Sequence, residues 1–190
     1  MSTGLEPPWP DWDHAHTDLT AILPPPTLAV LDDTAEFAAR WSSTNDHRRA
    51  LRTVQVLVHV GLTSPDVLTA GLLLDSVRTG DAPLPAVREH CGSRPAKLLI
   101  HLLPRTRQAD PRALLDISQL LAAPAGSQAV ALADWYTTAE ADPSPDHAAQ
   151  ARTLLLIARN NPPFDWLLAD WLTHALGRAA PTPTRSRTRP

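Results

Sequence analysis

The stretch "LTAGLLLDSVRTGD", residues 68–81, is nearly all apolar until Asp75, and the nearest local counter-charge is Arg78, three residues on. On a helix, Leu68, Leu72 and Asp75 fall at i, i+4 and i+7, so the carboxylate shares a stripe with leucines that face a core. Burying an unpaired carboxylate is costly. Asp75 therefore needs a partner: a metal ion, a hydrogen-bond donor or a cation. The other residues with chemical capacity are less pointed. His14 and His16 in "DWDHAH" have the letters of a metal site, but their proline-bounded segment reads as a solvated loop. His59, His90, His101, His147 and His174 share no ligand spacing. The lone Cys91 excludes an internal disulfide framework and reads as a small core residue.

The elements that must position Asp75 are helices punctuated by proline. Ser64-Pro65-Asp66, Asp110-Pro111-Arg112 and Ser144-Pro145-Asp146 each offer an N-cap oxygen followed by a proline at the first helical position. A helix is expected from near Thr34 through "TAEFAARWSS", and another through "HRRALRTVQVLVHV", stopping at Gly61. In the latter, Leu51, Val54, Leu57 and Val58 make one apolar face. "LPAVREHC" is a short helix ended by Gly92, and "RPAKLLIHLL" one ended before Pro104. Phe164, Leu167, Leu168, Trp171, Leu172 and Ala175 keep the helical period in a last helix. No segment alternates like a half-buried strand, so the expected fold class is all-α.

The 20 prolines cluster at the ends. Residues 1–30 are expected to be an extended proline-rich segment, with Trp9 and Trp12 packing back on the body. Residues 31–178 form the helical domain, and 179–190 a basic disordered tail that carries Arg185, Arg187 and Arg189. A net charge of -3 gives the body no reason to bind nucleic acid. No apolar run approaches the roughly 18 residues of a membrane span, and no leader pattern opens the chain, so the expected location is cytoplasmic.

From Val56 to Ser93, "VLVHVGLTSPDVLTAGLLLDSVRTGDAPLPAVREHCGS" resembles the HD superfamily of metal-dependent phosphohydrolases. It is closest there to the guanosine tetraphosphate hydrolase domain of RelA/SpoT-type proteins and their small stand-alone relatives. The landmarks are Val60-Gly61, Thr63-Ser64-Pro65-Asp66, Ala70-Gly71-Leu72-Leu73-Leu74-Asp75, Val77-Arg78-Thr79 and Cys91-Gly92. "SQAVALADWYTTAEADPSP" is similar to the family's later Leu-Ala-Asp helix, "NPPFDWLLADWLTHAL" to its closing segment and "TAEFAARWSS" to its first helix. The likeness runs from about Thr34 to Arg178 and implies a single HD-like helical bundle.

The resemblance also implies a site. The family holds one divalent ion, commonly manganese, with two histidines and two aspartates, and the ion activates water against phosphate. Asp75 and Asp134 match the two aspartates. Leu74 stands where the paired histidine belongs, and the first histidine falls on Arg48 or Arg49, with His47 close by in sequence. The family's water-handling Glu-Asp pair is Arg78-Thr79, its Lys and Asn fall on Ala131 and Thr138, and its early His and Gln fall near Ser42 and Asn45. These replacements converge on one pocket. The reading that follows is a degenerate domain without metal-dependent hydrolysis and with no cofactor, in which an Asp75/arginine or Asp134/arginine contact replaces the metal. Its role would be to bind a protein partner or a guanine nucleotide. The alternative is an active hydrolase that holds manganese through Asp75, Asp134 and His47. Trp135-Tyr136 could stack on a base, although core packing suits at least one of them better.

Overall fold

The computed structural model describes residues 6–41, 44–103 and 117–141. These residues form helices α1 (Trp12–Thr20), α2 (Pro25–Ala39), α3 (Thr44–His59), α4 (Pro65–Arg78), α5 (Leu84–Cys91), α6 (Ser93–Ile100), α7 (Ile117–Leu121) and α8 (Ala125–Ala141). There is no strand among them, and the protein is an all-α helical bundle. The helix starts expected at Pro111 and Pro145, the last helix over 164–175, the tail, Ser42, His147 and His174 lie outside the described residues.

Proline sets several of the helix starts. Pro24 is the N-cap of α2 with Pro25 and Pro26 in its first turn, Ser64-Pro65 opens α4, and Pro83 precedes α5. A proline at these positions gives up an amide that no carbonyl would have received, and its fixed φ already suits the helix. The Ser64 hydroxyl makes no cap hydrogen bond, so the proline and not the cap oxygen marks that start. α3 closes as expected near Gly61: at φ +85°, Gly61 donates to the Val58 carbonyl, and Leu62 reaches back to the Leu57 carbonyl. That pair of bonds is the closure a left-handed glycine permits after a helix.

The N-terminal expectation is corrected. Residues 12–20 are helical, not extended, because Asp11 accepts a hydrogen bond from the His14 amide at 3.0 Å and caps α1. His14 and His16 therefore ride on a helix and not in a loop. α2 begins at Pro25, well before Thr34, because the three prolines initiate a helix where they were read as an extended run. Trp9 does pack back, buried, with its indole N–H donating to Asp18 at 2.7 Å, while Trp12 donates to Asp32 at 3.0 Å.

The core is built around α4, where every residue from Leu68 to Val77 is buried. A helix apolar on all sides must be surrounded, and α4 packs against α2, α3, α6 and α8. Small residues allow the approach: a Cβ on Gly71 would sit 3.0 Å from the Leu57 side chain, and one on Gly126 would sit 3.1 Å from Val67 and 3.2 Å from Leu98. α3 is more enclosed than its one expected apolar face, since Ala50 through Val58 are all buried, Arg52, Thr53 and Gln55 included. Its second face is covered by α8 and by the segment preceding α1. No helix among the described residues is long and apolar enough to cross a membrane.

Candidate functional site

Asp75 lies one turn before the end of α4, and the stripe it shares with Leu68 and Leu72 is buried; the Asp75 side chain is 9% exposed. The cation it needs comes from α3. Arg49 donates to Asp75 Oδ1 at 2.7 Å and to Asp134 Oδ1 at 3.0 Å, so one guanidinium group spans both carboxylates. Arg78, one turn along α4 from Asp75, donates to Asp134 Oδ2 at 2.5 Å and stands 3.8 Å from Asp75. Two guanidinium groups thus balance two carboxylates in a cluster tying α3, α4 and α8 together. The expected aspartate–arginine contact is present, and it takes both aspartates.

Electrostatics explain how four charges persist with little water. Burial of Arg78 works against its charge, but the Asp134 and Asp75 carboxylates and the hydrogen bond to Asp134 outweigh it and raise its pKa above the ordinary arginine value. Charge-assisted bonds of this kind are short and strong, and Asp134 accepts one on each oxygen. The Arg49 Nε–H is enclosed without a hydrogen-bond partner among the described residues, and both carboxylates are reached through Nη2.

The remaining candidate residues are placed around this cluster with different roles. Of the two arginines allowed by the sequence, Arg49 enters the cluster and Arg48 is exposed. Leu74 is buried in the hydrophobic core. Thr79 caps α4, where its hydroxyl donates to the Asp75 carbonyl at 3.0 Å or to Asp81 at 2.5 Å. Thr138 donates to the Asp134 carbonyl at 2.9 Å. Both threonines address the main chain of the aspartates' helices. His47 is half-buried, and burial lowers its pKa below the ordinary histidine value. Trp135 and Tyr136 are both buried, which places them in packing and not on an open stacking surface. Burial raises the Cys91 thiol pKa, as suits a core cysteine and not a nucleophile.

The donor set does not fit a divalent ion. A metal between Asp75 and Asp134 would occupy the space that Arg49 bridges, next to two positive charges and, among the described residues, with no imidazole completing the set. Among the described residues no three His, Cys, Asp or Glu side chains gather as a metal site would require, so His47 does not join the two aspartates.

A second cluster on α3 was not anticipated from the sequence. Arg52 binds Glu140 through two parallel bonds, Nε to Oε2 at 2.8 Å and Nη2 to Oε1 at 2.6 Å. Its Nη1 donates to Gln55 Oε1 and to the Glu6 carbonyl, each at 2.7 Å. The signal that could have revealed it is an Arg and a Gln three residues apart inside "ALRTVQVLV", where apolar residues leave no face for solvent.

No family model, curated protein or solved structure matches the chain. What the fold and site define is a class: an all-α bundle with a buried, charge-balanced arginine–aspartate centre.

Proposed function

We propose that this protein is a degenerate relative of the HD-type guanosine tetraphosphate hydrolases, acting as a binding or regulatory module without metal-dependent phosphohydrolysis. The observation that carries the reading is the Arg49 guanidinium bridging Asp75 and Asp134, with Arg78 on the free oxygen of Asp134. In the family the resemblance points to, those two aspartates hold the ion that activates water. Here a cation fixed to the chain neutralises them, so they keep the helices together without presenting a Lewis acid. The fit of Asp75 and Asp134 to the quoted motif supports the ancestry, and the charge reversal at Arg78 supports the loss of water handling.

The test is direct. Purified protein incubated with guanosine tetraphosphate and manganese is expected to release no pyrophosphate, while thermal-shift measurements with guanine nucleotides report whether a nucleotide is retained as ligand. Turnover that disappears with Asp75→Ala in a folded variant would overturn the proposal in favour of a rearranged manganese site.

A further inference from the structure

Residues 6–10, Glu-Pro-Pro-Trp-Pro, have no regular secondary structure and lie on the surface, every one of them exposed except Trp9. Two buried polar side chains of α3 hold this segment by its main chain. Arg52, 7% exposed, donates to the Glu6 carbonyl at 2.7 Å, and Gln55 donates through Nε2 to the Pro7 carbonyl at 3.1 Å. Arg52 is itself fixed by Glu140 and by Gln55 Oε1, so both donors are aimed before the segment arrives. Trp9 supplies the one apolar anchor, and the open side of the segment borders a groove of about 440 Å³ lined by Pro7, Pro8, Trp9, Asp13 and Thr17.

These features are those of a peptide site. Prolines have no amide hydrogen to satisfy, so a proline-rich strand offers mainly carbonyls, and its restricted backbone loses little entropy on docking. Two donors three residues apart on α3, with Asp18 of α1 taking the indole N–H of the buried Trp9, read such a strand mainly through its backbone. We propose that the face of α3 bearing Arg52 and Gln55 is a receptor for an extended, proline-rich segment with one tryptophan, and that the chain's own residues 6–10 occupy it as an exchangeable strap. A segment tethered this closely has an effective concentration of roughly millimolar order, so it shields the site from a free peptide until it is loosened. This inference does not depend on the fate of the metal centre.

The experiment uses the full chain and a fluorescent peptide, Leu-Glu-Pro-Pro-Trp-Pro-Asp, followed by anisotropy. The unaltered protein is expected to bind it weakly. Trp9→Ala, which removes the strap's anchor, should bind the peptide saturably and at least about tenfold more tightly. Adding Gln55→Ala should weaken that binding about fivefold, the effect of one neutral hydrogen bond, and Arg52→Gln should weaken it further. Circular dichroism checks each fold. Should Trp9→Ala unfold, the paired change Pro7→Gly and Pro8→Gly loosens the strap by chain entropy alone and gives the same readout. Loosened, folded chains that ignore the peptide overturn the proposal, as does binding indifferent to Gln55→Ala.

Discussion

α3 carries two arginines three residues apart, each held by a carboxylate of α8, and the two sites differ in what surrounds them. Around Arg49 both carboxylates belong to helices and are nearly dry, with side-chain exposures of 9% for Asp75 and 5% for Asp134. Around Arg52, among the described residues, the carboxylate is Glu140, 36% exposed, and the other acceptors are the Gln55 amide and the main chain of a surface segment. The first cluster locks three helices. The second fastens a strap to two. Charge pairing of the same kind therefore produces a fixed core in one place and a releasable contact in the other, and burial of the acid makes the difference.

Removing one buried acid should have the largest effect. Asp134→Ala leaves the Arg49 and Arg78 guanidinium groups facing Asp75 alone, and a loss of about 3–5 kcal/mol is expected in denaturant unfolding. The comparison sharpens if Asp75 and Asp134 are changed to leucine together with Arg49 and Arg78 to methionine. Because no charge is left uncompensated, that variant should recover most of the stability lost in the single mutant. A quadruple variant no more stable than Asp134→Ala would mean that the cluster acts through something other than charge balance.

At the second site, Glu140→Ala should cost less, about 2 kcal/mol, since the buried Arg52 keeps Gln55 and the Glu6 carbonyl as acceptors and water can enter where the half-exposed acid stood. Its effect should also shrink with added salt, whereas that of Asp134→Ala should not. Equal salt sensitivity would erase the distinction between the two clusters.

The smallest effect is a pH dependence from His47. Burial lowers its pKa in the folded state below the ordinary value of 6.5, so the unfolded chain takes up a proton more readily. Stability is thus full above that value and is lost as the pH falls through the folded pKa. Unfolding midpoints measured between pH 7 and pH 5 should fall less in His47→Gln than in the parent. A parallel fall in both would show that other groups carry the acid sensitivity.

The sequence made the first cluster more legible than the second, for physical reasons. Asp75 advertised itself because a carboxylate on a leucine stripe demands a partner, and the motif likeness linked it to Asp134 across a long separation. Turn chemistry likewise gave the bounds of α5, with Pro85 in its first turn and Gly92 just beyond its end, at φ +94°. The start of α2 is not legible in the sequence, because three prolines suit an extended chain and a first helical turn equally well, and only packing decides. Arg52 gives no such signal, because an arginine is ordinarily a surface residue. Its burial depends on an N-terminal segment whose docking is fixed by main-chain carbonyls, which carry no residue-specific signature.

In the proposed reading the Arg49 guanidinium stands where HD-type hydrolases would keep an ion, and calorimetric titration of the purified protein with manganese tests this most directly. That reading predicts no saturable binding that depends on Asp75 and Asp134. Stoichiometric binding abolished by Asp75→Asn or Asp134→Asn would contradict it.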